Sequence, residues 1–452
     1  MRILGVGECN DLAAMHHGFV QRGHEVRVFV EDAAYADVHG GMLDFTADWQ
    51  RELGWVREAG DDGLVIFESA VKGELQDRLR RDGFHVIGGS ALGDRLEADR
   101  TFGQQVLREA GLKTAASHPF TDYAAAMQFV RSHPGRYVLK FNGANSARTR
   151  NFVGEMDDGF DLLALLGLHA SRQQPGEAVD FVLMEHLQGV EVGVGGYFDG
   201  QQFLQPACID FEHKRFFPGE LGELTGEMGT IVSYRGSQPL FDAVLAPLAP
   251  LLRDGGYVGY INVNLIANEA GLWPLEFTSR FGYPGYAICE ALHLEPWEAI
   301  FRRMLRHDAE RIATRDGFAC GVVLTVPPFP YHHGYAELGK GAPICLRDSL
   351  TARDRAQLSF AEVAQVQGQL VTSGATGYIG VATGLGATVR DANAEALRIA
   401  RGVVVPNLRY RRDIGERVER GDLRRLQSLG LYESAVSLAM HPSPAAQAVR
   451  QA

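Results

Sequence analysis

Between Tyr260 and Gly285 the chain reads YINVNLIANEAGLWPLEFTSRFGYPG. The pattern is two strands joined by a short polar turn. Side chains of a strand alternate with period two, so Asn262 and Asn264 fall on one face of the first strand, and Glu276 and Thr278 on one face of the second. Oxygen ligands from adjacent strands then converge on one point, as a hard cation such as magnesium requires when it is held by one or two carboxylates and completed by substrate phosphates. Arg280, two residues beyond Thr278, stays on that side if the strand continues, with a planar fork suited to phosphate or carboxylate. A buried hairpin carrying a satisfied acid is the alternative.

The chain has 452 residues, too many for one core, which predicts about three domains. With 46% hydrophobic and 22% charged residues it has an ordinary globular composition. A net charge of -12 disfavours nonspecific binding to nucleic acid or to an anionic membrane. Apolar runs break well short of a membrane span, and MRILGVGE reads as a first buried strand, not a secretion signal. The five cysteines (Cys9, Cys208, Cys289, Cys320 and Cys345) lack metal spacing and fit reduced thiols, so a cytoplasmic location is expected.

Along the chain, apolar runs at 2–7, 25–30, 64–69 and 85–90 alternate with helical stretches, the pattern of a βαβ sheet unit. A helical pattern follows from Asp94 to Gly111, then a helix at 122–133 and the strand YVLKF at 137–141. Further strands are expected at 180–185, 191–198, 203–210, 319–326 and 377–382, with helices around 239–254, 296–306 and 391–401.

Three more features carry chemistry. Lys140 ends a strand and precedes the polar loop FNGANSARTR, an arrangement able to meet nucleotide phosphates. FVLMEHLQGVEV at 181–192 forms a hinge containing Glu185 and Leu187, with Glu191 beyond it; its backbone suits an adenine edge and a carboxylate suits ribose hydroxyls. DFEHKRF at 210–216 sets His213, Lys214 and Arg215 together as a compact cationic cluster in an acidic chain.

The order of these parts resembles that of ATP-grasp ligases. Within that superfamily the chain is similar to glycinamide ribonucleotide synthetase from about residue 60 to 415, through LEADRTFGQQVLREAGLKTA at 96–115, MEHLQGVEV at 184–192, FEHKRF at 211–216, GEMG at 226–229, LEFTSRFG at 275–282, TGLGAT at 383–388 and YRRDIG at 410–415. The resemblance implies an α/β ATP-grasp fold with an amino-terminal parallel α/β domain (1–92), an ATP-grasp domain (93–300, lid about 112–186), a small carboxy-terminal α+β domain (301–420) and a tail (421–452). It implies ATP and magnesium as cofactors. Arg100 and Lys140 would meet the phosphates, Glu185 and Leu187 the adenine, Glu191 the ribose, and Lys214 the phosphates and acceptor. Glu276 would bind metal, with Thr278 in place of the usual asparagine and Asn264 compensating, and Arg280 would hold the acyl or γ-phosphate. The implied partners are a small carboxylate and an amine, with a homodimer by family likeness.

The departures concern the substrate end. Where the family has a glycine-rich turn bearing Arg-Glu-His, this chain has GVGECNDLAAMHH, with Glu8 and Asp11 and no arginine, a poor cradle for a sugar phosphate. EDAAYADVHGG at 31–41 and FESAVKGE at 67–74 replace two further family segments, and Arg148 or Arg150 stands in for a lysine of the lid. The expectation is therefore an ATP-dependent carboxylate-amine ligase whose acceptor is other than phosphoribosylamine. The alternatives are an authentic phosphoribosylamine-glycine ligase, a biotin-type carboxylase and a noncatalytic nucleotide-binding protein.

Overall fold

The computed structural model describes residues 1–141, 151–174, 176, 178–308 and 310–433. The expected lid residues Arg148 and Arg150, and most of the tail, lie outside the described residues.

The amino-terminal segment builds a five-stranded parallel sheet in the order 44–45, 25–30, 2–7, 63–67, 86–87. Strands Arg2–Gly7 and Gly63–Phe67 are buried almost throughout, because helices cover a parallel sheet on both faces and its central strands must be apolar on both sides. Helix Ala13–Gln21 ends at Gly23, whose φ of +83° supplies the left-handed residue that closes the last turn. Strand order reverses direction between 2–7 and 63–67, and the crevice at their carboxyl ends is where an open α/β sheet binds ligands.

The helical pattern expected over 94–111 resolves into two helices, Ala91–Ala98 and Arg100–Glu109. Asp99 separates them and accepts the Phe102 amide at 3.0 Å, an N-cap that restarts the helix in a new direction. The break puts Glu97 and Arg100 on the wall of one cleft. Next comes a four-stranded antiparallel sheet (117–120, 181–185, 137–141, 152–153). Helices Tyr123–Ser132 and Phe160–Arg172 cover it, with Val130, Leu139, Leu162 and Phe181 in its core.

The largest element is an eight-stranded antiparallel sheet in the order 271–278, 259–268, 190–198, 203–212, 229–233, 318–325, 378–386, 358–360. Strands from both sides of residue 300 share it, so the expected boundary there marks sequence order and does not divide two sheets. A smaller sheet (363–366, 369–372, 343–346, 403–404) lies beyond it. One core joins the amino-terminal sheet to the large one: Ile3 and Phe19 share it with Tyr197, Phe281 and fully buried Trp297. Among the described residues no helix is long and apolar enough to cross a membrane.

Helix Val389–Ala400 lies tightly on strand Tyr378–Gly386 at Gly384, where a Cβ would stand 2.2 Å from the Ala392 carbonyl oxygen and 2.2 Å from the Ala396 nitrogen. Gly384→Ala must push the helix outward. The expected cost is about 1–3 kcal/mol, read as a lower midpoint in chemical denaturation.

Candidate active site

Strands Gly259–Asn268 and Gly271–Thr278 form the hairpin, and its register sets Asn264 opposite Glu276 and Asn262 opposite Thr278. The two asparagines do different work. Asn262 is committed, donating to Asp210 at 2.7 Å. Asn264 donates to Glu212 at 3.0 Å, and its buried side-chain oxygen has no hydrogen-bond partner.

Lys214 occupies the centre of the arrangement. Its Nζ stands 3.1 Å from Glu191, 3.1 Å from Glu212 and 3.6 Å from Glu276. Burial favours loss of the ammonium proton, but Glu191, Glu212 and Glu276 outweigh it and hold the pKa well above that of a free lysine. Glu191 is held below the usual carboxylate range: burial opposes ionisation, and Lys214 and Arg417 overcome it. Lys140, at the end of strand Tyr137–Phe141, is shifted downward, by burial first, with Arg100 and Lys214 adding to the shift against Glu276. The Arg100 guanidinium keeps one buried nitrogen, Nη1, without a hydrogen-bond partner.

These side chains line a cleft of about 1130 Å³, larger than the ~300–1,000 Å³ typical of one small-ligand pocket. Its wall carries Arg100, Lys140, Glu185, Leu187, Glu191, Lys214, Glu276, Thr278 and Arg280. Asn264 stands behind that wall. For a metal ion, Glu276, Thr278 and the unpartnered Asn264 oxygen offer a carboxylate, a hydroxyl and an amide oxygen, an all-oxygen set that fits magnesium if phosphates complete it. Among the described residues no group of three or more His, Cys, Asp or Glu side chains is arranged to hold a metal by itself.

The expected cationic cluster at 213–215 is not one. His213 is buried, and burial, followed by Arg417 and Arg411, pushes its pKa down to about 3, so it is neutral. Arg215 turns away to the Gly222 carbonyl at 2.7 Å, and of the three only Lys214 lines the cleft.

Several acids went unrecognised in the sequence. Glu97 accepts Arg280 Nε at 3.1 Å and the Ser279 amide at 2.7 Å, aiming the guanidinium. Glu227 lines the cleft and accepts from the Thr230 hydroxyl; burial, then Glu212 and Asp210, raise its pKa well above a normal carboxyl's. Glu68 fills the crevice at the strand switch, taking the Cys9 amide at 2.7 Å and the Asn10 amide at 3.1 Å. Local pattern marks none of these: Glu68 and Glu97 find their partners through distant chain, and Glu227, bonded to nearby Thr230, meets Glu212 and Asp210 only in the fold.

An eight-stranded antiparallel sheet and a smaller four-stranded one, with a cleft between them lined by cations and carboxylates, define the ATP-grasp class. Residues 98–286 match the family model of the phosphoribosylglycinamide synthetase ATP-grasp (A) domain. The chain is 27% identical over 356 residues to the phosphoribosylamine-glycine ligase of a Nostoc species, covering 76% of this chain and 81% of the relative. With the same enzyme from Pseudomonas aeruginosa it shares 26% over 372 residues, 79% and 84% of the two chains. The crystal structure of phosphoribosylamine-glycine ligase from Thermotoga maritima superposes with a TM-score of 0.68 at 21% identity, covering 92% of this chain and 100% of that one. Biotin carboxylase from Campylobacter jejuni shares the fold at a TM-score of 0.60 and 12% identity, with 97% and 98% covered. The chain is an ATP-grasp carbon-nitrogen ligase, similar to the phosphoribosylamine-glycine ligases. These relatives do not support the expectation of a different acceptor; they favour the alternative, an authentic phosphoribosylamine-glycine ligase.

Glu68 makes a testable demand on pH. Burial, then the Asp11 charge, pushes its pKa from 4.5 up to about 7. The folded chain thus holds this proton more tightly than the unfolded one. The associated stability is present below about pH 4.5 and is lost as pH rises through about 7, up to ~3 kcal/mol for this group. Glu68→Gln keeps an acceptor for the two amides and is expected to flatten that decline in denaturation midpoints measured from pH 5 to 8.

Proposed function

We propose that the protein joins a small carboxylate to an amine at the expense of ATP, with glycine and phosphoribosylamine as the leading pair. The observation that carries the reading is the union, on one cleft wall, of a hinge at Glu185–Leu187, the cations Arg100, Lys140, Lys214 and Arg280, and Glu276, with Asn264 across the ladder from Glu276. The names of the curated relatives support the choice of substrates. A cytoplasmic location and a homodimer accompany it as further proposals.

Backbone groups of the hinge would take the adenine edge and Glu191 the ribose. Arg100, Lys140 and Lys214 would bind the phosphates and offset the charge that spreads over the γ-phosphoryl as it transfers. The substrate carboxylate, held at Arg280, attacks the γ-phosphorus and ADP departs, leaving an acyl phosphate. The amine then attacks the acyl carbon and phosphate leaves. Magnesium, held by Glu276 with Asn264 and Thr278, would supply Lewis-acid charge neutralisation at the phosphates.

A second reading rests on the switch-point crevice. Glu68 already fills it, its carboxylate on the Cys9 and Asn10 amides that would otherwise face an anion, with Asp11 nearby. A phosphorylated amine would meet carboxyl groups there in place of cationic donors, whereas an unphosphorylated, cationic one would find acceptors.

ADP release with ATP and magnesium tests both readings, with glycine and phosphoribosylamine first, then other amino acids with unphosphorylated amines, and bicarbonate alone as the carboxylase control. Turnover is expected to require a carboxylate and an amine together. It should fall about 100-fold or more in Lys140→Ala and in Glu276→Ala. Turnover with bicarbonate alone would refute the ligase, and preference for unphosphorylated amines would select the second reading.

A further inference from the structure

The carboxy-terminal segment 411–417 grips the strand end that carries Lys214. Three bonds reach residues 212, 213 and 215, on either side of Lys214. The Arg417 guanidinium donates to the Glu212 carbonyl at 2.7 Å. The Gly415 amide donates to His213 Nε2 at 3.0 Å. Arg411, fully buried, donates to the Arg215 carbonyl at 2.8 Å. Lys214 stands in the middle of that run, and its own carbonyl accepts the Thr225 amide at 2.8 Å and the Thr225 hydroxyl at 2.8 Å. Asp413 adds a fourth link across the hairpin that follows, accepting the Gly219 amide at 2.9 Å.

A lysine has four rotatable side-chain bonds and settles wherever its backbone and counter-charges leave it. Here the counter-charges are three carboxylates on three strands, so a small shift of residues 212–215 would let Nζ collapse onto one of them. We infer that residues 411–417 act as a latch that fixes Lys214 for phosphate contact, with His213, Arg411 and Arg417 as positioning residues. His213 suits the part because it remains neutral. Nδ1 lies 3.1 Å from the Phe211 carbonyl and, as the protonated nitrogen, donates to it, which leaves Nε2 free to accept the Gly415 amide. An imidazolium could not accept that bond. This inference rests on the ATP-dependent ligase reading for the role of Lys214, and on the contacts above for the latch.

The test uses the full chain and three variants: His213→Leu removes the acceptor, His213→Gln replaces it with a side-chain amide oxygen, and Arg417→Met cuts a different strand of the latch. ATP dissociation constants come from calorimetry and kcat from ADP release with the preferred substrates. His213→Leu and Arg417→Met are expected to lower kcat about tenfold and weaken ATP severalfold, the scale of one lost buried hydrogen bond. His213→Gln is expected to recover most of both. Full activity and affinity in the Leu and Met variants would overturn the latch, as would a Gln variant as impaired as the Leu one, which would mark a mere packing role. If the unaltered protein turned over no substrate pair, the ligase reading would fall and the ATP constants alone would decide: loss in His213→Leu with recovery in His213→Gln supports the latch, and unchanged affinity overturns it.

Discussion

Everything in the cleft depends on one ammonium shared by three carboxylates. Glu191, Glu212 and Glu276 come from three different strands of the large sheet, and Lys214 touches all of them. Two like charges about 4 Å apart cost roughly 4 kcal/mol each at an effective dielectric constant near 20, so the three acids are tolerable together only around a cation. The antiparallel register from 190–198 through 259–268 to 271–278 brings two of them to that point, and the latch brings the lysine. The balance has a functional edge. On the proposed function, a polyphosphate that drew on the ammonium would leave the acids short of positive charge, which a divalent ion held at Glu276 would supply.

At the other end of the cleft the charges are arranged differently. Arg280 is anchored through Nε by Glu97, which leaves the rest of the guanidinium facing the cleft and the Asp11 and Glu68 side of the amino-terminal sheet. The cleft wall thus mixes the cations Arg100, Lys140 and Lys214 with Glu191, Glu212 and Glu276, while Arg280 adjoins the carboxyl groups of Asp11 and Glu68.

The hairpin was legible because its information is local: period-two alternation sets Asn262 with Asn264 and Glu276 with Thr278, though only the ladder shows Asn264 opposite Glu276 and only the fold commits Asn262 to Asp210. The helix over 94–111 was half legible. Its apolar spacing is continuous, but the Asp99 cap that breaks it competes only weakly in a window of helix formers. The 213–215 run misled, because three adjacent basic residues look alike in sequence. Burial neutralises the first, the sheet edge turns the third outward, and only the second serves the cleft. Glu68, Glu97 and Glu227 were invisible for the complementary reason. A carboxylate acquires meaning from its surroundings, and the groups that surround these three lie mostly on other strands and helices. The sequence departures at the substrate end are real, yet the relatives do not support a different acceptor.

Chain order has a consequence for the protein during synthesis. Domains commonly fold as they emerge, amino terminus first. Here the large sheet takes strands as late as 378–386, and the segment that secures Lys214 ends at residue 417. A ribosome must therefore release nearly the whole chain before the cleft acquires its final geometry. Half-made chains hold the side chains of the cleft without the late strands that complete its sheet.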